Sequence, residues 1–176
     1  MAVTVRMAEE SDAATVASMI QAHARFDGKA HLCKTSAEDI RRHGFGDDPA
    51  FRVLLAEKDG EAVGSLMFYR CFSSWEGKPF LFIDDFFVRE ELRGHGIGRL
   101  LLAHVAGLAK AQGYPRVDWH VLRAAEARGF YERLGGMWVQ DFVIYRLEGG
   151  ALDRLAEDGL RPRDDAPGLD SPKPVL

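Results

Sequence analysis

Arg93-Gly94-His95-Gly96-Ile97-Gly98 sets a glycine-rich turn between a long apolar run, Phe80–Val88, and a helical stripe carrying Leu101, His104, Val105 and Leu108. Glycine adopts left-handed backbone without penalty and lets a ligand approach the main chain closely. The first turn of a helix leaves its N–H groups without intrahelical partners, and the helix dipole adds positive potential there. Strand, glycine turn and helix together predict an anion site suited to a diphosphate. Gly113 and Pro115 end the helix, and Arg116–Leu122 reads as the next strand. The unit is therefore a βαβ crossover, whose two strands run parallel.

Two familiar nucleotide signatures do not fit. A P-loop needs Lys followed by Ser or Thr after its last glycine, and none stands here. The dinucleotide fingerprint GxGxxG fails at its last position, because the pattern from Gly94 is GHGIGR. What fits is R-x-x-G-x-G, read as Arg93, Gly96 and Gly98.

The remaining elements follow from periodicity and punctuation. Val3, Val5 and Met7 alternate as a first strand. Ser11 is placed to cap a helix with Val16, Met19, Ile20 and His23 on one face, and Thr35 with Glu38 has capping-box spacing for a second helix around Ile40. Phe51–Glu57 and Ala62–Phe72 form a hairpin about Asp59-Gly60. A loop with Trp75 leads into Phe80–Val88. A short helix spans Ala125–Leu134, and Met137–Leu147 reads as a last hairpin or two strands. The expected fold is α/β, with helices flanking a mixed central sheet.

From Gly149 the composition changes. Four of the seven prolines lie beyond it, among mixed charges. Residues 1–148 are expected to form the domain. Residues 149–176 are expected to form a flexible tail, with one or two helical turns over Ala151–Glu157.

Composition narrows the function. A net charge of −4 argues against a general nucleic-acid binder. No segment approaches the roughly 18 apolar residues of a membrane span. Met1–Arg6 lacks the order of a signal peptide, so a cytoplasmic location is expected. Cys33 and Cys71 form no CxxC, and the six histidines show no metal-ligand spacing, so no metal is expected. Asp84 and Asp85 interrupt the apolar strand. As strand neighbours they are expected to point to opposite faces, and neither can enter a core without a partner.

V-x-x-x-x-R-G-x-G-I-G-x-x-L-L, from Val88 to Leu102, resembles the acetyl-CoA-binding motif of the GNAT acetyltransferase superfamily. Within it, Gly44–Pro49, Trp75–Lys78, Ile83–Val88 and Phe130–Gly135 resemble the diamine (spermidine/spermine) and thialysine acetyltransferase branch. The likeness runs from about Val3 to Leu147. It implies a GNAT fold, with the sheet splayed between its fourth and fifth strands. It also implies acetyl transfer from acetyl-CoA to the primary amine of a diamine, polyamine or basic amino-acid-like amine, by direct attack in a ternary complex. The pantetheine arm would pair with the backbone of Phe86, Phe87 and Val88. The pyrophosphate would sit on Arg93, Gly94, His95, Gly96, Ile97, Gly98 and Arg99.

An alkyl ammonium must lose a proton before it attacks a thioester, and a nearby carboxylate can take it. Asp84 and Asp85 match the branch's Glu-Asp pair, and the shorter Asp84 favours a water relay. Asp27, after Phe26, matches a Tyr-Glu pair that helps bind the amine. Tyr131 matches the general-acid tyrosine. The asparagine that often precedes the tyrosine helix is absent from Leu122-Arg123-Ala124-Ala125. A homodimer is expected from the resemblance. The alternatives are a GNAT acting on a protein N-terminus, a lysine or an aminoglycoside, and a non-catalytic acyl-CoA-binding module.

Overall fold

The computed structural model describes residues 2–122 and 127–159. The chain divides into two compact units, Met1–Ala125 and Glu126–Leu176. The first contains a five-stranded sheet in sequential order: β1 (Thr4–Met7), β2 (Arg52–Lys58), β3 (Glu61–Ser73), β4 (Lys78–Val88) and β5 (Val117–Trp119). The first four strands are antiparallel, and β5 runs parallel to β4. Three helices flank the sheet: α1 (Ala13–Phe26), α2 (Ala37–Gly44) and α3 (Ile97–Ala111).

Alternation along the strands sorts the core into two layers. Val53 and Leu55 of β2 join Val16 and Met19 of α1 and Ile40 of α2 on one side. Leu54 and Ala56 join Leu101 and Val105 of α3 on the other. Both faces of β2 are thus buried, and it reads as a near-continuous apolar run. Asp59 (φ 56°) and Gly60 (φ 84°) turn the β2–β3 hairpin in the left-handed region that such two-residue turns demand.

Several local expectations shift. Ser11 caps nothing; it lies in a 3-10 turn, Glu10–Asp12, that precedes α1. Arg6 grips Asp12 at 2.6 Å and Glu57 at 2.6 Å, which ties that turn to the sheet. The capping box of α2 is Ser36 with Asp39, not Thr35 with Glu38. Both pairs have the right spacing, and starting at Ser36 turns Ile40 into the core. On α3 the buried stripe is Ile97, Leu101, Val105 and Ala109, while His104 turns outward and its ring meets the Leu100 carbonyl.

The register of β3 on β4 steps from Met67↔Asp85 to Phe68↔Ile83, which leaves Asp84 as the extra residue of a β-bulge. The bulge reverses which side chains face which layer. Leu81 and Ile83 belong to the α3 layer, whereas Phe87 belongs to the α1 layer. Unbroken alternation would have put all three on one face.

The second unit contains α4 (Arg128–Arg133) and α5 (Gly150–Gly159). Gly135 (φ 88°) reverses the chain after α4, and the Arg128 guanidinium lies 4.4 Å from the Trp138 ring centroid. Met137–Leu147 forms no strand, contrary to the expected hairpin. Its apolar, β-branched residues favour extended backbone, but a strand also needs a ladder partner, and this segment pairs with none among the described residues. α5 is longer than the one or two turns expected. Residues 160–176 and Arg123–Glu126, including most of the Leu122–Ala125 stretch, lie outside the described residues.

Candidate active site

The glycine turn forms as its spacing predicts. Gly94 (φ 79°) and Gly96 (φ 84°) are left-handed, and Gly96 is the N-cap of α3. A Cβ on either would project into open space, so the main chain is exposed to a ligand there. Gly98 is different: it lies inside the first turn of α3. Ile97 is buried in the α3 layer, so only its main chain is available to a ligand. The Nδ1 of His95 lies 2.9 Å from the Arg93 carbonyl, which folds the ring back on the turn. Arg93 donates from Nε to the Val88 carbonyl at 3.1 Å, and its guanidinium stacks 3.9 Å over Phe26. Arg93 thereby joins the end of β4, the turn and the end of α1. Arg99 is exposed on the first turn of α3.

β5 pairs with β4 only over Leu81–Ile83 with Val117–Trp119. The two strands part before Phe86–Val88, which is the expected splay. Phe87 fills the α1 layer, while Phe86 and Val88 pack on the α3 layer. Their side chains hold the sheet, and their main chain borders the splay.

The two acids do not point to opposite faces, because the bulge intervenes. Asp85 projects toward α1, where its Oδ1 meets His23 Nδ1 at 2.7 Å. Its Oδ2 is buried without a hydrogen-bond partner. Asp84 is exposed to solvent at the bulge and lies within electrostatic reach of Asp85, His120 and Tyr69. Partial desolvation by its neighbours raises its carboxyl above the ordinary range, the Asp85 charge raises it further, and His120 opposes both. Phe82 stacks on Tyr69 at 5.4 Å and meets His120 edge-on at 4.7 Å, which gives Asp84 an aromatic border.

Asp27 follows α1 directly, and its Oδ2 lies 3.9 Å from His23 Nε2. His23 therefore stands between Asp85 and Asp27, with its ring stacked on Phe87 at 5.6 Å. The Asp85 hydrogen bond raises its titration, burial opposes this, and the charges of Asp85 and Asp27 raise it again. In sequence, His23 stands on the apolar face of α1, outside every motif that marks the site. A lone titratable residue in an apolar helical stripe was the available signal.

Tyr131 lies on α4, in the second unit. Burial pushes its phenol up to about 12. The described residues contain no group of three or more side chains placed to hold a metal. None of the described helices is long and apolar enough to cross a membrane.

A splayed sheet, a strand-edge main chain and a glycine turn at a helix N-terminus define an acyltransferase architecture. Residues 16–136 match the Acetyltransferase (GNAT) family, and the chain belongs to it. It is an acetyl-CoA-dependent N-acetyltransferase. Thialysine N-epsilon-acetyltransferase of Mus musculus is 32% identical over 168 residues, covering 86% of this chain and 96% of that protein. An L-ornithine N5-acetyltransferase of Arabidopsis thaliana is 34% identical over 112 residues, 62% of this chain and 49% of that protein. Among solved structures, an integron cassette protein from the mobile metagenome of V. cholerae superposes with a TM-score of 0.76 at 22% identity, over 89% of this chain and 99% of that one.

Proposed function

We propose that the enzyme acetylates the primary amine of a small diamine, polyamine or basic amino-acid-like acceptor. The observation that carries this reading is the bulge, which gathers Asp84 and Asp85 on the face that also holds Asp27. Three neighbouring carboxylates, two of them partly buried, recognise cations. Relatives named for thialysine, ornithine and spermidine/spermine support the same class of acceptor.

Acetyl-CoA supplies the activated acetyl thioester. The main chain of Phe86, Phe87 and Val88 at the splay would hold its pantetheine arm. The turn from Arg93 to Arg99 would hold its pyrophosphate, through the N–H groups that Gly94 and Gly96 expose and through the α3 dipole. Asp84 takes the acceptor's proton through a water, because its raised carboxyl is a stronger base than an ordinary aspartate. Asp85 and Asp27 bind positive charge. Tyr131, with its phenol kept neutral, is the general acid. The functional domain is residues 1–148, and the chain works as a homodimer in the cytoplasm. Sedimentation showing only a 19.6 kDa species would remove the dimer.

The test is acetyl-CoA consumption over spermidine, thialysine, ornithine and an aminoglycoside. The first three should turn over, and Asp84→Asn should lower kcat on each. A charge-assisted contact contributes about 1.5–3 kcal/mol, so Asp27→Asn should raise KM for a diamine about tenfold or more. It should affect a monoamine of equal length less. Turnover of the aminoglycoside alone would replace this reading with the antibiotic one.

A further inference from the structure

His23 has no part in the chemistry above, yet the acceptor carboxylates surround it. Asp85 of β4 takes its Nδ1 at 2.7 Å, and Asp27 beyond α1 stands 3.9 Å from its Nε2. Phe87 of β4 covers one ring face. The other charge acting on it is Arg93 of the turn, which opposes a positive ring. The remaining oxygen of Asp85 is buried without a partner. The negative charge of Asp85 therefore depends on His23 for compensation.

The ring's two edges differ. Nδ1 is fixed by a short hydrogen bond. Nε2 and Asp27 Oδ2 are too far apart to bond to each other. They are close enough that one ammonium nitrogen could lie within about 2.9 Å of both. A protonated Nε2 repels that ammonium. A neutral Nε2 accepts a hydrogen bond from it.

We propose that His23 is a built-in cation of the acceptor site, and that an acceptor ammonium binds by expelling the His23 Nε2 proton to solvent. One positive charge enters as one leaves, so the charge facing Asp85 and Asp27 is unchanged. After the exchange, Nδ1–H still donates to Asp85, while Nε2 and Asp27 accept from the ammonium. This selects acceptors that arrive fully protonated and are small enough to reach Nε2. The inference rests on the reading of Asp27 and Asp85 as acceptor carboxylates.

Proton release on binding is measurable without turnover. The full chain, saturated with CoA, is titrated with spermidine at pH 6.5 in two buffers of different ionisation enthalpy. We expect release approaching one proton per spermidine bound. Below the His23 titration, acceptor affinity should tighten by up to about tenfold per unit rise in pH. His23→Asn keeps a donor for Asp85 but cannot titrate, so its release and pH slope should vanish. His23→Leu, which suits the apolar face of α1, serves if the first variant does not fold. Asp84→Asn controls for the raised carboxyl beside Asp85 and should retain the release. Spermidine binding without proton release, or release persisting in both His23 variants, overturns the exchange and leaves the proposed activity standing. No binding or turnover of spermidine, thialysine or ornithine overturns both.

Discussion

Tyr131 keeps its proton throughout the neutral range, because its phenol titrates near 12. It therefore carries a phenolic hydrogen at every neutral pH. It is also a weaker acid than an ordinary phenol, so its benefit should fall at the low end of general-acid catalysis. Tyr131→Phe preserves the ring and should lower kcat about 10²-fold, with the Kd for acetyl-CoA nearly unchanged. Any basic limb in the pH–rate profile below about pH 11 should persist in the variant, since it belongs to another group. Stopped-flow and steady-state rates across pH check both points. Near-wild-type turnover would make Tyr131 a packing residue. Gly96 is tested through binding. At φ 84° a β-branched side chain is strained, and its Cβ would enter the space beside the exposed main chain. Gly96→Val should abolish measurable CoA binding by calorimetry. Gly98→Ala should be milder, because position 98 is helical and alanine suits a helix.

The contact that joins α1 to β4 at the site is titratable, and its effect on stability has a definite sign. The folded state raises His23 above its ordinary value near 6.5, through Asp85 first. The folded protein therefore holds that proton more tightly than the unfolded chain. The resulting stabilisation is complete below about pH 6.5 and is lost as pH rises through the raised value. Thermal melts of the wild type and His23→Leu should converge between pH 6 and pH 9, the wild type losing its advantage at the alkaline end. Melts that stay parallel would mean that His23 and Asp85 do not share charge. The same pair positions the site, because the β4 bulge is what turns Asp85 toward α1. Asp84 was legible as an interruption of an apolar strand. Its consequence was not, because a bulge depends on the register of β3 against β4, which no local pattern records.

At the scale of the molecule, the proposed chemistry draws only on residues 1–148. A chain ending at Gly159 retains α5 and removes residues whose proline-rich, charged composition cannot build a core. It should keep its melting temperature and its kcat. A large loss of activity would instead place the C-terminal residues over the site or in a dimer contact.

Local chemistry determined much of this protein. Glycine fixed the turn at positions 94 and 96, alternation in β1 and apolar runs bounded by turn residues marked the first four strands, and the helical stripe fixed α3 to within a small rotation. Those signals act over a few residues, and so they survive in a linear reading. Tertiary structure decided the rest. Two candidate capping boxes overlapped at 35–39, and the core chose the one that buried Ile40. Met137–Leu147 had strand propensity but no ladder partner. Asp84 and Asp85 share a face because β3 skips one residue of β4. His23 joins the site because that face turns toward α1, bringing together residues 62 positions apart in the chain.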